Sequence, residues 1–488
     1  MSIRDKYDID FTSTTAKLPR ADMVIHSAYS SMAFNISWII FGYYLVYFYT
    51  DVVGLSGAVA GIITLCARLF DCVTDLILGY LMDNKCLKWG RYRSWTLLGL
   101  PFVTVLFIAV FTNLGPDTSM AAKIAWAGIA YGLFGAVGAT LTFLPGVAQL
   151  NNMTKNPSER ALTASIKGVL NCVASITGAT FFISMANTFG ADTGNPSRGF
   201  FWAAVVIAAL VAACIIANLA VTKKYELNRD GSIREHLRPI PGKYAPILTQ
   251  FKELLTNGPA VILMGGQLLY QVLIAVRNGM LIYIFSYYWS LDEFYSTGVL
   301  CNSLAMVGGA LLLKPAIKLL RDSNRAYKVS MLLDAGCNIA LFVLIKAMGA
   351  VDSAASIQFG GLFVLFLVNG VCLGLHNSFA NVLLPATIDY GEWKTGRSQA
   401  GMVSSIYGLS ITFGSAVGGF FLGVLLDASG YVANTVQTPS ALNNMLMLAL
   451  IMPAALAIAQ FLVQSFWKIT DAKQTEMLHE INERRMHK

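Results

Sequence analysis

Apolar residues run through this chain in long blocks separated by short polar turns. After a polar opening segment, 1–22, which mixes both charges, apolar stretches lie near 23–50, 55–81, 94–114, 120–149, 163–189 and 199–222. A charged segment, KKYELNRDGSIREHLRPIPGKYAP, then interrupts the pattern. Six further stretches follow near 259–289, 295–317, 327–348, 356–384, 399–426 and 443–467, and a basic tail ends the chain. Each block is long enough for a membrane-crossing helix, which needs roughly 20 mostly apolar residues. The pattern predicts an all-α membrane protein of twelve transmembrane helices in two six-helix halves. Its parts are a tail over 1–22, an N-terminal half over 23–222, a central loop over 223–258, a C-terminal half over 259–467 and a second tail over 468–488. The opening segment lacks the basic start and short apolar middle of a cleavable signal, and it reads as a cytoplasmic tail.

Composition removes the soluble alternatives. Over 488 residues, 56% hydrophobic and 13% charged with a mean hydropathy of +0.59 is too oily for soluble domains, and so excludes a soluble enzyme. The net charge of +8 would suit nucleic acid only if the basic residues gathered on one surface. Instead, most of the 35 Lys and Arg fall in alternate loops and the two termini. That is the positive-inside distribution, with both termini cytoplasmic and no nucleic-acid partner. The 8 cysteines are scattered without a CxxC pair and are expected to be free thiols. No nucleophile with its base, metal-ligand cluster or phosphate loop stands out, so neither an enzyme nor a cofactor is expected.

An ionisable side chain at mid-bilayer costs about 2.5 to 3.5 kcal/mol on insertion scales, so each one needs a reason. In the second predicted helix, LCARLFDCVTDLILGYL carries Arg68, Asp71 and Asp75. At about 100° per residue, Asp71 lies about 60° and Asp75 about 20° from Arg68, so all three share a face. Two carboxylates one turn apart, with the Thr74 hydroxyl beside them, offer hard oxygen ligands for a monovalent cation or a proton. The alternative is an internal ion pair of Arg68 with one aspartate, which leaves the second acid unexplained. Lys167 and Arg277 are the other cations within apolar stretches. Asp334, near the start of its stretch, is expected to pair with a loop base. Arg277 opens RNGMLIYIFSYYWS, whose Tyr283, Tyr287, Tyr288 and Trp289 suit an interfacial belt or sugar-stacking rings. His376 is expected to be a packing residue before a cavity residue.

Two six-helix halves joined by a long charged loop resemble the major facilitator layout. The loop GYLMDNKCLKWGRYR resembles that superfamily's loop after its second helix, and the resemblance implies a gating or bracing charge pair between Asp83 and Arg91, with Arg68 also structural. Further motifs are YFYTDVVGLS at 47–56, ARLFDCVTDLILGYLMDN with KWGRYRSW, SERALTASIK at 158–167 and IDYGEWKTGR at 388–397. On these the chain is similar, over most of its length, to the glycoside-pentoside-hexuronide:cation symporters, the family of melibiose permease. The resemblance implies coupled transport of a sugar or glycoside with Na+, Li+ or H+ by alternating access, in a bacterial inner membrane among its lipids. It places the family's cation aspartates on Asp71 and Asp75, with Thr74 between them and Thr140 as a fourth oxygen.

At the sugar site the chain departs from the melibiose permease pattern. Asn35 and Phe143 stand where that pattern has acids, Lys167 replaces an arginine, and Thr412 replaces a lysine. Asn35, Lys167, Arg277, Tyr407 and Thr412 are the expected sugar contacts. Two acids lost with Lys167 kept favours an acidic sugar, such as a uronide or sulfosugar, because a buried cation is costly without an anionic visitor. The alternative is that Lys167 pairs with Asp71 or Asp75 in the empty carrier. Two other functions fit the same fold less well: a carrier of lysolipids or other amphiphiles, and a non-transporting membrane receptor.

Overall fold

The computed structural model describes residues 17–154, 157–234, 256–289, 292–348, 357–395 and 400–486. Two compact units divide the chain at Lys243 and Tyr244. The first contains six long helical runs: α1 over 20–52, α2 Gly57–Asn84, α3 Arg93–Val110, α4 over 120–153, α5 over 157–193 and α6 Pro196–Glu226. The second contains α7 over 258–288, α8 Asp292–Leu311, α9 Ser323–Met348, α10 Ile357–Thr395, α11 Ala400–Ala428 and α12 over 439–465. A further helix, α13 Asp471–Met486, closes the chain.

Among the described residues, the runs α2 to α12 supply 11 candidate spans, each long and apolar enough to cross a membrane. The chain is a multi-pass membrane protein. The remaining run, α1, is helical without a break, but its apolar character is diluted by Tyr29, Tyr43, Tyr44, Tyr47, Tyr49, Asn35 and several serines. It buries those polar groups against its neighbours. Tyr29 donates to the carbonyl of Thr142, and Tyr44 to that of Ala179. In lipid every such group must find its partner inside the protein.

Helix starts follow local chemistry. Ser56, Ser119, Asn257 and Thr438 each accept from a backbone N–H three residues on, satisfying donors that a helix N-terminus leaves open. Five-residue-repeat turns interrupt α1, α4, α5, α7 and α12 and redirect their carbonyls. In the second unit, glycines let helices touch: a Cβ on Gly374 would fall on the Met306 carbonyl of α8, and one on Gly309 on the Val371 carbonyl of α10.

Each unit has its own core. In the first, seven phenylalanines interlock, with ring centroids 4.9 Å apart for Phe41 and Phe134 and 5.0 Å for Phe111 and Phe182. In the second, His376 is fully buried, stacks on Tyr270 at 4.1 Å and meets Gln460 at 2.8 Å, so it packs. Tyr287 receives a hydrogen bond from Tyr431 at 3.1 Å and another from the Asn434 backbone N–H at 3.1 Å. That ring cluster ties the end of α7 to the loop before α12.

Charges brace the loop ends of the first unit. Asp22 of α1 pairs with Lys224 and accepts from Tyr225 at 2.5 Å. The buried Glu226 at the end of α6 accepts from the backbone N–H groups of Tyr92 and Arg93 at 3.0 and 3.3 Å and from Gln149 at 2.9 Å. Gly90 makes the turn at φ +116°, and any side chain there would collide with Glu226. The chain after 467, expected to be a tail, folds into α13 on the end of α10. Trp393 donates to Glu480 at 2.7 Å, Gln474 donates to Asp389 at 2.8 Å, and Met477 and Ile481 are buried.

Replacing Glu226 by Leu strips three donors of their acceptor at a buried junction. The expected loss is about 3 kcal/mol, read as a fall of several degrees in Tm of the purified protein. Glu226→Gln keeps an acceptor and is expected to lose less than half of that; equal stability of the Leu variant and the parent would refute the clamp.

Candidate functional site

The first unit gathers an acid cluster on α2 and α4. Asp71 is 4% exposed, and its Oδ2 lies 3.8 Å from Nη1 of Arg68, one turn earlier on α2. Thr140 on α4 is buried, and its Oγ1 lies 3.2 Å from Asp71 Oδ1 and 2.8 Å from Asp75 Oδ1. It also lies 3.0 Å from the Gly135 carbonyl, five residues back. That last contact exists because the stretch Phe134–Ala139 is wound as a π-helix, a local form often found at functional positions. A hydroxyl has one proton, so Thr140 satisfies one of these three acceptors at a time.

Trp38 of α1 completes the cluster. The Arg68 guanidinium lies 3.5 Å from the centre of its ring, a cation–π contact that holds the charge in an apolar setting. Arg68 thus stands against Asp71, Trp38 and Tyr131, and acts on Asp75 from farther away, while Thr140 lies closest to Asp75. Gly135 stands close behind: a Cβ there would lie 3.3 Å from Cγ of Asp71, so a side chain would press on the carboxylate.

Of the other expected residues, some join this cluster and some do not. The Thr74 hydroxyl donates to the backbone carbonyls of Asp71 at 2.9 Å and Phe70 at 3.3 Å, which points its proton along α2 and away from the carboxylates. Asn35 donates to the Ser31 carbonyl at 2.8 Å. Lys167 is half-buried on α5, its charge felt by His26 of α1, and among the described residues it makes no ion pair with Asp71 or Asp75. Phe143 packs edge-on against Phe34 at 5.3 Å. Arg91 lies over the ring of Tyr92 at 5.5 Å, while the Asp83 side chain lies outside the described residues.

Arg277, Tyr407 and Thr412 belong to the second unit. Tyr407 is buried in the core with Tyr327 and Phe379, and Thr412 donates to the Gly408 carbonyl at 3.4 Å. Arg277 is 6% exposed and acts electrostatically on Asp334. Here the expectation for Asp334 is corrected. It is fully buried, accepts from Asn369 at 3.0 Å and Asn338 at 3.2 Å, and among the described residues pairs with no loop base. About three turns of α9 precede it, and its neighbours come from α7, α10 and α9 itself. Asn338 at i+4 was a signal in the sequence; Asn369 was not, since only packing brings α10 to α9.

The chain matches a family model described as MFS/sugar transport protein over residues 27–471. It is 30% identical over 486 residues to an uncharacterized symporter, YnaJ, of Bacillus subtilis, covering 95% of this chain and 96% of that one. It is 28% identical over 420 residues to the isoprimeverose transporter of Lactiplantibacillus pentosus, covering 85% of this chain and 81% of that one. Among solved structures, a D-xylose-proton symporter superposes with a TM-score of 0.61 at 12% identity, covering 90% of this chain and 96% of the other. With its two six-helix units and a family match spanning nearly all of its membrane segments, the chain belongs to the MFS/sugar transport protein family.

Proposed function

We propose that this protein carries a sugar or glycoside across a bacterial inner membrane together with a monovalent cation, Na+, Li+ or H+, by alternating access, with both termini in the cytoplasm. The observation that carries this reading is the sharing of one Thr140 hydroxyl by two carboxylates, of which Asp71 is the one that Arg68 pairs with closely. One carboxylate charge is thus left for a small cation in a dry setting. Asp71, Asp75 and Thr140 are its ligands, and Thr74 supplies a lone pair from the next turn. Coupling then follows from linkage: a cation that raises sugar affinity is itself bound more tightly by the same factor when sugar is present.

Asn35 and Lys167 of the first unit, with Arg277, Tyr407 and Thr412 of the second, are the proposed substrate contacts. Lys167 has no acidic partner among the described residues, and this supports an acidic group on the sugar, as in a uronide or sulfosugar. The names of an isoprimeverose transporter and a D-xylose-proton symporter support the sugar class.

Asp75→Asn is expected to keep sugar exchange across the membrane while sodium-stimulated accumulation falls to background, measured as counterflow beside active uptake of labelled sugar. Concentrative, sodium-stimulated uptake by that variant would sink the assignment. Thr140→Val is expected to weaken the cation effect by about tenfold, the size of one charge-assisted hydrogen bond, and Thr140→Ser to restore most of it. For Lys167→Gln the readout is the ratio of uronide to neutral glycoside uptake; a ratio equal to the parent's would rule out the acidic-sugar reading.

A further inference from the structure

A second ligand site is built into the C-terminal unit. Between α7, α9, α10 and α12 lies a partly open cavity walled by Leu281, Phe285, Leu341, Ile345, Phe366 and Leu450. Three polar residues stand among these apolar ones: Arg277, Asn338 and Asn369. Both asparagines are wholly buried, and both give an amide N–H to the same atom, Oδ1 of Asp334, at 3.2 and 3.0 Å. Among the described residues, their own carbonyl oxygens accept no hydrogen bond, and neither does Oδ2 of Asp334. Buried acceptors without donors are costly and rare, and three in one cluster, two of them on the cavity wall, mark a place that a donor visits.

Charge decides which kind of donor. Arg277 lines the cavity beside the asparagines that hold Asp334, so one positive and one negative group stand in the same cluster. A metal ion added beside the guanidinium would leave a net positive charge in an apolar bundle. An anion could take up Nη1 of Arg277 but would leave the three open oxygens of the asparagines and Asp334 without donors. A hydroxyl group brings an O–H donor without charge, and its lone pairs suit the guanidinium of Arg277. The walls, aromatic and aliphatic, suit an apolar body behind the hydroxyls.

We propose that this cavity binds an uncharged glycoside with an apolar aglycone, its sugar hydroxyls on Asn338 and Asn369 and its aglycone among Phe285, Phe366 and Leu450. The later turns of α7 and α9 and the earlier turns of α10 and α12 form it, which puts it at the end of this unit away from the start of α7. The choice of a sugar rests on the transport reading above; the cavity and its open acceptors do not. Water is the competing occupant.

The full chain is tested in lipid nanodiscs, because alkyl glycoside detergents would themselves fill the site. Equilibrium binding of 4-nitrophenyl β-D-glucoside is measured with and without sodium, beside glucose and nitrobenzene. The expected result is a sodium-independent binding component, weaker by about tenfold or more for glucose or nitrobenzene alone, since each forfeits one part of the contact. That component is expected to vanish in Asn369→Leu and also in Ala449→Phe, which puts a ring into the cavity from its α12 wall, while sodium-stimulated uptake persists. Retention of the component in Ala449→Phe, or nitrobenzene binding as tight as the glycoside, overturns the proposal. So does the absence of any sodium-independent binding, which means that water alone fills the cavity. Failure of the transport reading shows elsewhere, as uptake indifferent to Asp75→Asn.

Discussion

One hydroxyl proton is shared by three acceptors at Thr140, and the chemistry of the first unit hangs on that shortage. Asp71 and Asp75 stand on one face of α2, and the first of them is the one that Arg68 pairs with closely. In water such a deficit would be trivial, because solvent would supply the missing donors. Within an apolar bundle it is not, since an uncompensated carboxylate there is costly. The surrounding structure keeps the deficit open: Trp38 holds the guanidinium in place, the π-wound stretch before Thr140 sets its register, and Gly135 leaves room for the carboxylate.

The two units treat buried charge differently. In the first, two acids meet one arginine, so the cluster is short of positive charge. In the second, Arg277 and Asp334 stand one for one, and the imbalance is of hydrogen-bond donors instead of charge. The proposed cation fits the first imbalance, and the proposed hydroxylated ligand fits the second.

A third group of charges does neither. Asp22 and Lys224 tie α1 to α6, Glu226 accepts from loop N–H groups, and side-chain bonds from Trp393 to Glu480 and from Gln474 to Asp389 join α10 to α13. The Asp and Trp of the IDYGEWKTGR motif thus hold a terminal helix in place. Their exposure to water in sequence terms hid this, because a charge at the end of an apolar block looks the same whether it is solvated or clamped.

Hydrophobic blocks, their count and the charged segment between the two sets were enough to read the helices, the two halves and the membrane setting, because a bilayer imposes one length and one polarity on every crossing. The pairing of Asp71 with Asp75 was equally legible, since both lie on one helix whose period fixes their common face. What no single stretch could contain was decided by packing. Thr140 meets the aspartates only because α4 lies against α2, and Asn369 meets Asp334 only because α10 lies against α9. Asp334 itself was misplaced by its position near the start of a stretch, since depth in a bundle depends on neighbours. Periodicity orders side chains around one helix; which faces meet, and which polar atoms are left without partners, is settled only when helices from distant parts of the chain come together.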